Sequence, residues 1–173
     1  MYIKELSKEE FQNFTNNFVQ SSIYQSAEYA MVMNNQGFQT MFLGLIDEQN
    51  HILAATLLLV EKKHGFKYAY APKGFLLDYT NASLFETFTT TIKKYLGKKD
   101  IIAVKLCPMI IKTIYDTKNN LKSENQRYQQ IFDTFKRLGY FHLGYNNNFE
   151  ALKPRYEGIL DIGIPYYQIF NNL

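Results

Sequence analysis

Ten consecutive residues, Tyr70-Ala71-Pro72-Lys73-Gly74-Phe75-Leu76-Leu77-Asp78-Tyr79, concentrate the side chains of this 173-residue chain that could do chemistry. An alternating apolar stretch ends there in a Pro-x-Gly turn with a basic residue at its tip. A carboxylate follows, just before a helix. Asp78 so placed could be a general base, or an anchor for an ammonium or hydroxyl group. It could equally be a carboxylate at a helix N-terminus, where the helix dipole favours negative charge by roughly 0.3–1 kcal/mol. The residues alone leave both readings open.

Other catalytic constellations are sparse. His51, His64 and His142 stand far apart, in turns or near strand ends, and no His-x-x-x-His or Cys-x-x-Cys spacing occurs, so a zinc site is not expected. Cys107 is the sole cysteine. It cannot form an internal bridge, which suits a reducing cytosol, and as a nucleophile it would need a neighbouring base or cation. No Gly-x-Ser-x-Gly elbow, Walker loop or Gly-x-Gly-x-x-Gly is present. The longest apolar run, Ile52–Val60, has nine residues including Thr56, where a spanning helix needs about 20. Met1–Phe18 is polar and acidic, unlike a signal sequence.

The net charge of +3 is unevenly spread: residues 1–60 carry −4, residues 61–122 carry +7, and the remainder balances. A basic middle could meet phosphates or an acidic membrane surface. Lys93, Lys94, Lys98 and Lys99, however, flank the end of a predicted helix, where cations complement the dipole.

The elements that must position the 70–79 segment follow from pattern. Ser7-Lys8-Glu9-Glu10 is a capping box, and Leu6, Phe11, Phe14 and Phe18 give its helix an apolar stripe. A second helix is predicted from Ser26 to Gln36, with Gly37 as its left-handed cap. Met41–Ile46, Ile52–Glu61 and Phe66–Ala71 predict an antiparallel meander, turned by residues 47–50 and by His64-Gly65. Ile52–Glu61, apolar for most of its length, reads as central with both faces covered. A helix from Thr80 or Asn81 presents Leu84, Phe85, Phe88, Ile92, Tyr95 and Leu96 on one face and stops at Gly97. Ile101–Cys107 is a fourth strand, closed by Pro108. Asp116–Lys122 reads as a polar loop. Ser123-Glu124-Asn125-Gln126 reads as a second capping box, for a helix with Tyr128, Ile131, Phe132, Phe135 and Leu138 on its face and Gly139 at its end. Tyr140–Leu143 and Tyr156–Ile162 read as further strands, and Pro165 opens a last short helix.

This order predicts an α/β fold, one domain over residues 1–173, with a mixed and mostly antiparallel sheet and helices on both faces. That is the acetyltransferase-like (GNAT-type) arrangement. Coenzyme-A enzymes of this fold hold the pyrophosphate on backbone N–H groups at a helix N-terminus, usually through Gln/Arg-x-x-Gly-x-Gly/Ala. Arg137-Leu138-Gly139 precedes a predicted strand and does not qualify. Coenzyme A is therefore disfavoured, and neither cofactor nor metal is expected.

Four passages carry a family resemblance. They are Ser22-Ile23-Tyr24-Gln25-Ser26-Ala27-Glu28-Tyr29-Ala30 closed by Gly37-Phe38; Tyr70–Tyr79, which looks like Tyr-x-Pro-Arg-Gly-Pro-x-x-Asp-Tyr; Leu138-Gly139-Tyr140 with His142-Leu143-Gly144; and Lys153-Pro154-Arg155-Tyr156 followed by Leu160-Asp161. In this order they resemble the Fem-type nonribosomal peptidyltransferases, the FemABX family, which build the interpeptide bridge of peptidoglycan from aminoacyl-tRNA. The resemblance implies an acetyltransferase-like fold used twice in one polypeptide. The cell-wall precursor would lie along the first domain, to which this chain corresponds, and the donor tRNA largely on the second. It implies Asp78 as the group that orients or deprotonates the acceptor amine. Tyr24, Tyr70, Lys73 and Arg155 would contact a lipid-linked or nucleotide-linked muropeptide precursor. Arg155 could pair with phosphate or carboxylate, or equally form a structural ion pair. Aminoacyl-tRNA is the implied co-substrate. The implied location is the cytoplasm, with peripheral contact at the inner membrane face. The chain alone is expected to be inactive in transfer, with half the cleft missing.

The departures from the family pattern are specific. Met33 stands where the family often has a Lys that, in some members, contacts precursor phosphate. One lost charged hydrogen bond is worth about 1.5–3 kcal/mol, roughly tenfold to over a hundredfold in affinity. Lys73 replaces Arg, keeping the charge but losing the bidentate fork. Phe75 replaces Pro and Lys153 replaces Gln, while Asp78 and Arg155 are kept. The chain has 14 Phe, 14 Tyr and no Trp. Tyr29, Phe38 and Tyr156 occupy positions where the family frequently has Trp. Two rival expectations remain: a non-catalytic module that binds muropeptide precursors or a partner domain, and a coenzyme-A-dependent N-acyltransferase.

Overall fold

A computed structural model of the chain describes residues 1–144, 158–160 and 162–171. The backbone forms two compact units, Met1–Ile110 and Ile111–Leu173.

In the first unit, five strands form one sheet in sequence order: β1 (Tyr2–Glu5), β2 (Gln39–Ile46), β3 (Ile52–Lys63), β4 (Phe66–Ala71) and β5 (Ile101–Leu106). The first four are antiparallel neighbours, and β4 pairs with β5 in parallel. Short turns suffice for the meander. His64 and Gly65, at φ +51° and +87°, make the two-residue turn between β3 and β4, a geometry whose twist matches the strands. The parallel pair needs a crossover, which α3 (Ala82–Gly97) supplies. Asn81 caps α3, its Oδ1 accepting from Leu84 N at 3.0 Å.

α1 (Lys8–Asn17) starts at the predicted capping box: Ser7 Oγ accepts from Glu10 N at 3.1 Å, and a Glu10 carboxylate oxygen accepts from Ser7 N at 2.8 Å. α2 (Ala27–Asn35) starts at Ser26, whose Oγ accepts from Tyr29 N. It ends with Gly37 at φ +90°, where Gly37 N reaches Asn34 O and Phe38 N reaches Met33 O. That pair of bonds is a Schellman closure, which favours apolar residues at its two ends. Met33 and Phe38 are those ends, and both pack against one hydrophobic cluster. Met33 thus serves the packing of α2 where a lysine would bring charge.

β3 is buried on both faces over the seven residues Ala54–Val60, as its apolar run predicts. Ala55, Leu57 and Leu59 face the cluster with Phe11 of α1 and Ala30 of α2. By alternation the intervening residues, with Leu43, Leu45, Ala69 and Ala71, turn to the other face. α3 brings its buried Phe85, Phe88, Ile92 and Leu96 into the core.

Several sequence expectations are corrected. β1 has no counterpart among the predicted elements. It is short, with Ile3 its one buried side chain, so the pairing rests on backbone bonds and leaves no periodic signal. Asp116–Lys122 is not simply a loop: β6 (Thr113–Tyr115) and β7 (Leu121–Glu124) form an antiparallel hairpin in the second unit. Asp116 nucleates its turn, Oδ1 accepting from Lys118 N and Asn120 N, the local pattern that makes Asp a turn former. Ser123 and Glu124 therefore belong to a strand and form no capping box. α4 spans Tyr128–Arg137 and starts without a side-chain cap. Asn125 closes the hairpin base instead, with its backbone N on Lys112 O and its Nδ2 on Ile111 O.

Tyr140–Leu143 is not a strand. Tyr140 N bonds Phe135 O, and the two rings meet edge-on at 5.1 Å, so Tyr140 is used to close α4 in a Schellman motif. Gly158–Leu160 and Ile162 are not strand either, and the rest of the predicted 156–162 strand lies outside the described residues. α5 spans Tyr166–Asn171 directly after Pro165.

Candidate functional site

β4 carries Tyr70 and Ala71 to the end of the sheet, and Pro72, which has no N–H to offer a ladder, ends the strand. Lys73 adopts φ +49° and turns the chain back. β3 continues past this point, so its backbone would lack a partner on that edge. Two groups fill the gap. Ala55 exchanges both backbone bonds with Leu76, at 2.9 and 3.0 Å. Leu57, between that bridge and the Leu59–Tyr70 pair, is met by the side chain of Gln25. Its Oε1 accepts from Leu57 N at 2.8 Å, and its Nε2 donates to Leu57 O at 3.2 Å. The Gln25 amide thus stands in for a strand peptide.

The same Nε2 donates to Pro72 O at 2.7 Å, tying the basic turn to the sheet. Gln25 is completely buried, and such an amide must have its bonds made. A Cβ on Gly74 would lie 2.8 Å from Gln25 Nε2, so glycine is required for this close approach. Beyond it, Tyr79 OH accepts from Phe75 N at 2.9 Å and donates to Phe75 O at 3.1 Å. Residues 72–79 are therefore fixed at three places: by Gln25, by Ala55 and by Tyr79.

On this segment Lys73 is half-buried and Asp78 is exposed. Asp78 Oδ1 accepts from Thr80 N at 2.8 Å and from Thr80 Oγ1 at 2.6 Å. The carboxylate thus shapes the turn before α3, three residues ahead of the Asn81 cap. Two oxygens offer about four lone-pair directions, so this turn does not exhaust its capacity as an acceptor.

Tyr24 lies in the 3-10 turn Ile23–Gln25, next to the residue that holds the basic turn. Its ring meets Tyr29 edge-on at 5.2 Å. Burial and then the neighbouring Tyr24 push the Tyr29 phenol up. Tyr70 is half-buried at the margin of the cluster. The structure thus brings the Tyr24 segment to the Pro72–Gly74 turn, with Tyr70 and Asp78 at either end of the fixed segment. Arg155 lies outside the described residues. Gln25 escaped sequence reasoning because nothing in its local pattern separates it from a surface glutamine. The available signal was its place inside the first family-like passage.

A groove of about 260 Å³ opens elsewhere, where β4 and β5 begin, lined in part by Glu5, Thr40, Lys67, Lys99 and Ile101. Its charges satisfy one another. Glu5 accepts from Tyr95 OH and from Lys99 Nζ at 2.8 Å, and Lys67 Nζ donates to Lys99 O at 3.1 Å. The Lys99 and Tyr95 hydrogen bonds hold the Glu5 carboxyl below its usual range. None of the candidate residues lines this groove. Among the described residues no cluster of His, Cys, Asp and Glu fits a metal ion, and no helix is long and apolar enough to cross a membrane.

Comparisons with known proteins place this arrangement. Aminoacyltransferase FemB of Staphylococcus epidermidis is 29% identical over 164 residues, covering 94% of this chain and 39% of that protein. Aminoacyltransferase FemA of the same species is 27% identical with the same coverage. The chain thus spans about two fifths of the length of these curated relatives. The crystal structure of FemX matches with a TM-score of 0.68 at 16% identity, over 90% of this chain and 36% of that one. A probable acetyltransferase matches with a TM-score of 0.53 at 10% identity, over 88% and 99%. These two structures establish the fold, an acetyltransferase-like mixed sheet between helices. The model described as "FemAB family" matches residues 6–164, and the chain belongs to that family.

Proposed function

We propose that this chain is the precursor-binding part of a tRNA-dependent aminoacyltransferase that extends the peptidoglycan stem peptide or bridge. The match of residues 6–164 to the FemAB family carries this reading. The 72–79 segment supports it, because buried bonds fix its backbone and so pre-organise a basic turn and a carboxylate for an anionic substrate bearing an amine. The reaction is attack of that amine on the ester carbonyl of an aminoacyl-tRNA. A C–N bond forms, the ester C–O bond breaks, the tRNA ribose hydroxyl leaves, and the amine surrenders a proton.

An amine of this kind is mostly protonated at neutral pH, so it loses two protons on the way to the amide. Asp78 accepts its hydrogen bond, orients it and takes the first; the second passes to the departing ribose oxygen. Tyr24, Tyr70, Lys73 and Arg155 contact the precursor, and aminoacyl-tRNA is the co-substrate, with no resident cofactor. The intact protein works in the cytoplasm, peripherally at the inner membrane face when its acceptor is lipid-linked. Residues 1–173 form one acetyltransferase-like domain, equivalent to the first half of a two-domain enzyme, and the tRNA is handled largely by the other half. The test is a transfer assay with labelled aminoacyl-tRNA and a nucleotide-linked muramyl-pentapeptide. The chain alone is expected to bind the precursor and form no amide; amide formation by residues 1–173 would contradict the division of labour.

A further inference from the structure

Lys105 on β5 is the register partner of Tyr70 on β4. Partners in a parallel pair project from the same face. The Lys105 ammonium stands 5.9 Å from the centre of the Tyr70 ring, within the range where the ring attracts and steadies a cation. Lys105 is exposed, and no carboxylate among the described residues forms a salt bridge with it.

The face it shares with Tyr70 is only partly covered. α1 and α2 pack over the β2–β3 side. Along β4, Tyr68 and Phe66 remain 38% and 54% exposed, and Tyr68 is paired with Ala103, which offers only a methyl group. Tyr70 and Lys105 stand one position before the last pair of the parallel β4–β5 ladder, and Lys73 lies just beyond. Ligands of sheets with parallel strands gather at their carboxyl ends. An accessible cation, steadied by a ring and with no salt bridge to an acid among the described residues, suits an oxyanion.

We infer that Lys105 is a substrate-binding residue, with Tyr70 steadying its ammonium against a phosphate group of the ligand. This rests on the precursor-binding reading and adds to it a residue and the chemical group it takes. A phosphate could come from a nucleotide-linked or a lipid-linked precursor, and the two are tested separately.

The experiment is calorimetric titration of the chain with a nucleotide-linked muramyl-pentapeptide and, in detergent micelles, with its lipid-linked counterpart. Lys105→Met is expected to weaken binding about tenfold or more, with an unchanged melting temperature and a weaker dependence on salt. Lys105→Arg keeps the charge and is expected to stay close to wild type. Inorganic pyrophosphate should compete with the precursor on the wild type and lose most of that effect on Lys105→Met, which a purely structural lysine would not produce. A loss in one arm assigns the phosphate to that source, and a loss in both to a group the two share. Equal affinity and equal salt dependence for wild type and Lys105→Met in both arms would overturn the inference while leaving precursor binding intact. A wild-type chain that binds neither precursor would overturn the precursor-binding reading itself, and this inference with it.

Discussion

Gln25 bonds the backbone of Leu57 in both directions, accepting its N–H at 2.8 Å and donating to its carbonyl at 3.2 Å. With the bond to Pro72 O, one buried side chain satisfies three backbone groups. Each unsatisfied buried group costs about 1–3 kcal/mol. Gln25→Ala is therefore expected to lower stability by about 3 kcal/mol or more, measured by urea unfolding. Gln25→Glu should also destabilise, because it sets an acceptor against two carbonyls. A change below about 0.5 kcal/mol, typical of surface substitutions, would contradict the role assigned here.

Gly74 and Gly97 should respond in opposite ways to alanine. At Gly74 the new methyl would meet Gln25 Nε2 at 2.8 Å, and that atom is held by two backbone carbonyls. Gly74→Ala should cost about 1–3 kcal/mol, the range for overpacking. At Gly97 nothing lies within 4 Å and the conformation is helical, so alanine should be neutral or stabilising by up to about 1 kcal/mol. Paired urea titrations of the two variants check both.

Asp78→Asn separates the two uses of that side chain. The asparagine Oδ1 can still accept from Thr80 N and Oγ1, so the turn and the melting temperature should be nearly unchanged. The variant cannot take a proton. In an intact two-domain enzyme, tRNA-dependent transfer should fall by about 10²–10⁴, the usual contribution of a positioned base. Full activity in the variant would leave Asp78 with its turn alone.

Acid should weaken the fold partly through Glu5. Hydrogen bonds from Lys99 and Tyr95 lower its pKa from the ordinary 4.5. A carboxyl lowered in the folded state adds stability above its unfolded value and loses it as pH falls through the folded one. The Glu5 side chain is 54% exposed, so screening keeps the effect modest. The drop in urea midpoint between pH 7 and pH 3 should be smaller in Glu5→Gln than in wild type. An equal drop in both would remove Glu5 from the account.

How far the sequence reaches differs by element. α1, α2, α3 and β2 to β5 were legible because each carries a cap, a period or a turn residue that acts locally: Ser7 with Glu10, Ser26, His64-Gly65, the apolar run of β3. β1 and the β6–β7 hairpin were not, because backbone pairing and the Asp116 turn define them and their side chains are mostly exposed. Ser123 and Glu124 match a capping box but lie in β7, where strand pairing prevails over the local motif. At the site, Lys73 and Asp78 stood out as charges beside a turn. Gln25 did not, because its role depends on a gap in a ladder 32 residues away, and no local pattern records that.

The most direct test of the central claim is calorimetric titration of the chain with a nucleotide-linked muramyl-pentapeptide, wild type beside Lys73→Met. Saturable binding is predicted, weakened about tenfold or more in the variant by loss of a charged contact. Absence of saturable binding by the wild-type chain would contradict the claim that it holds the precursor.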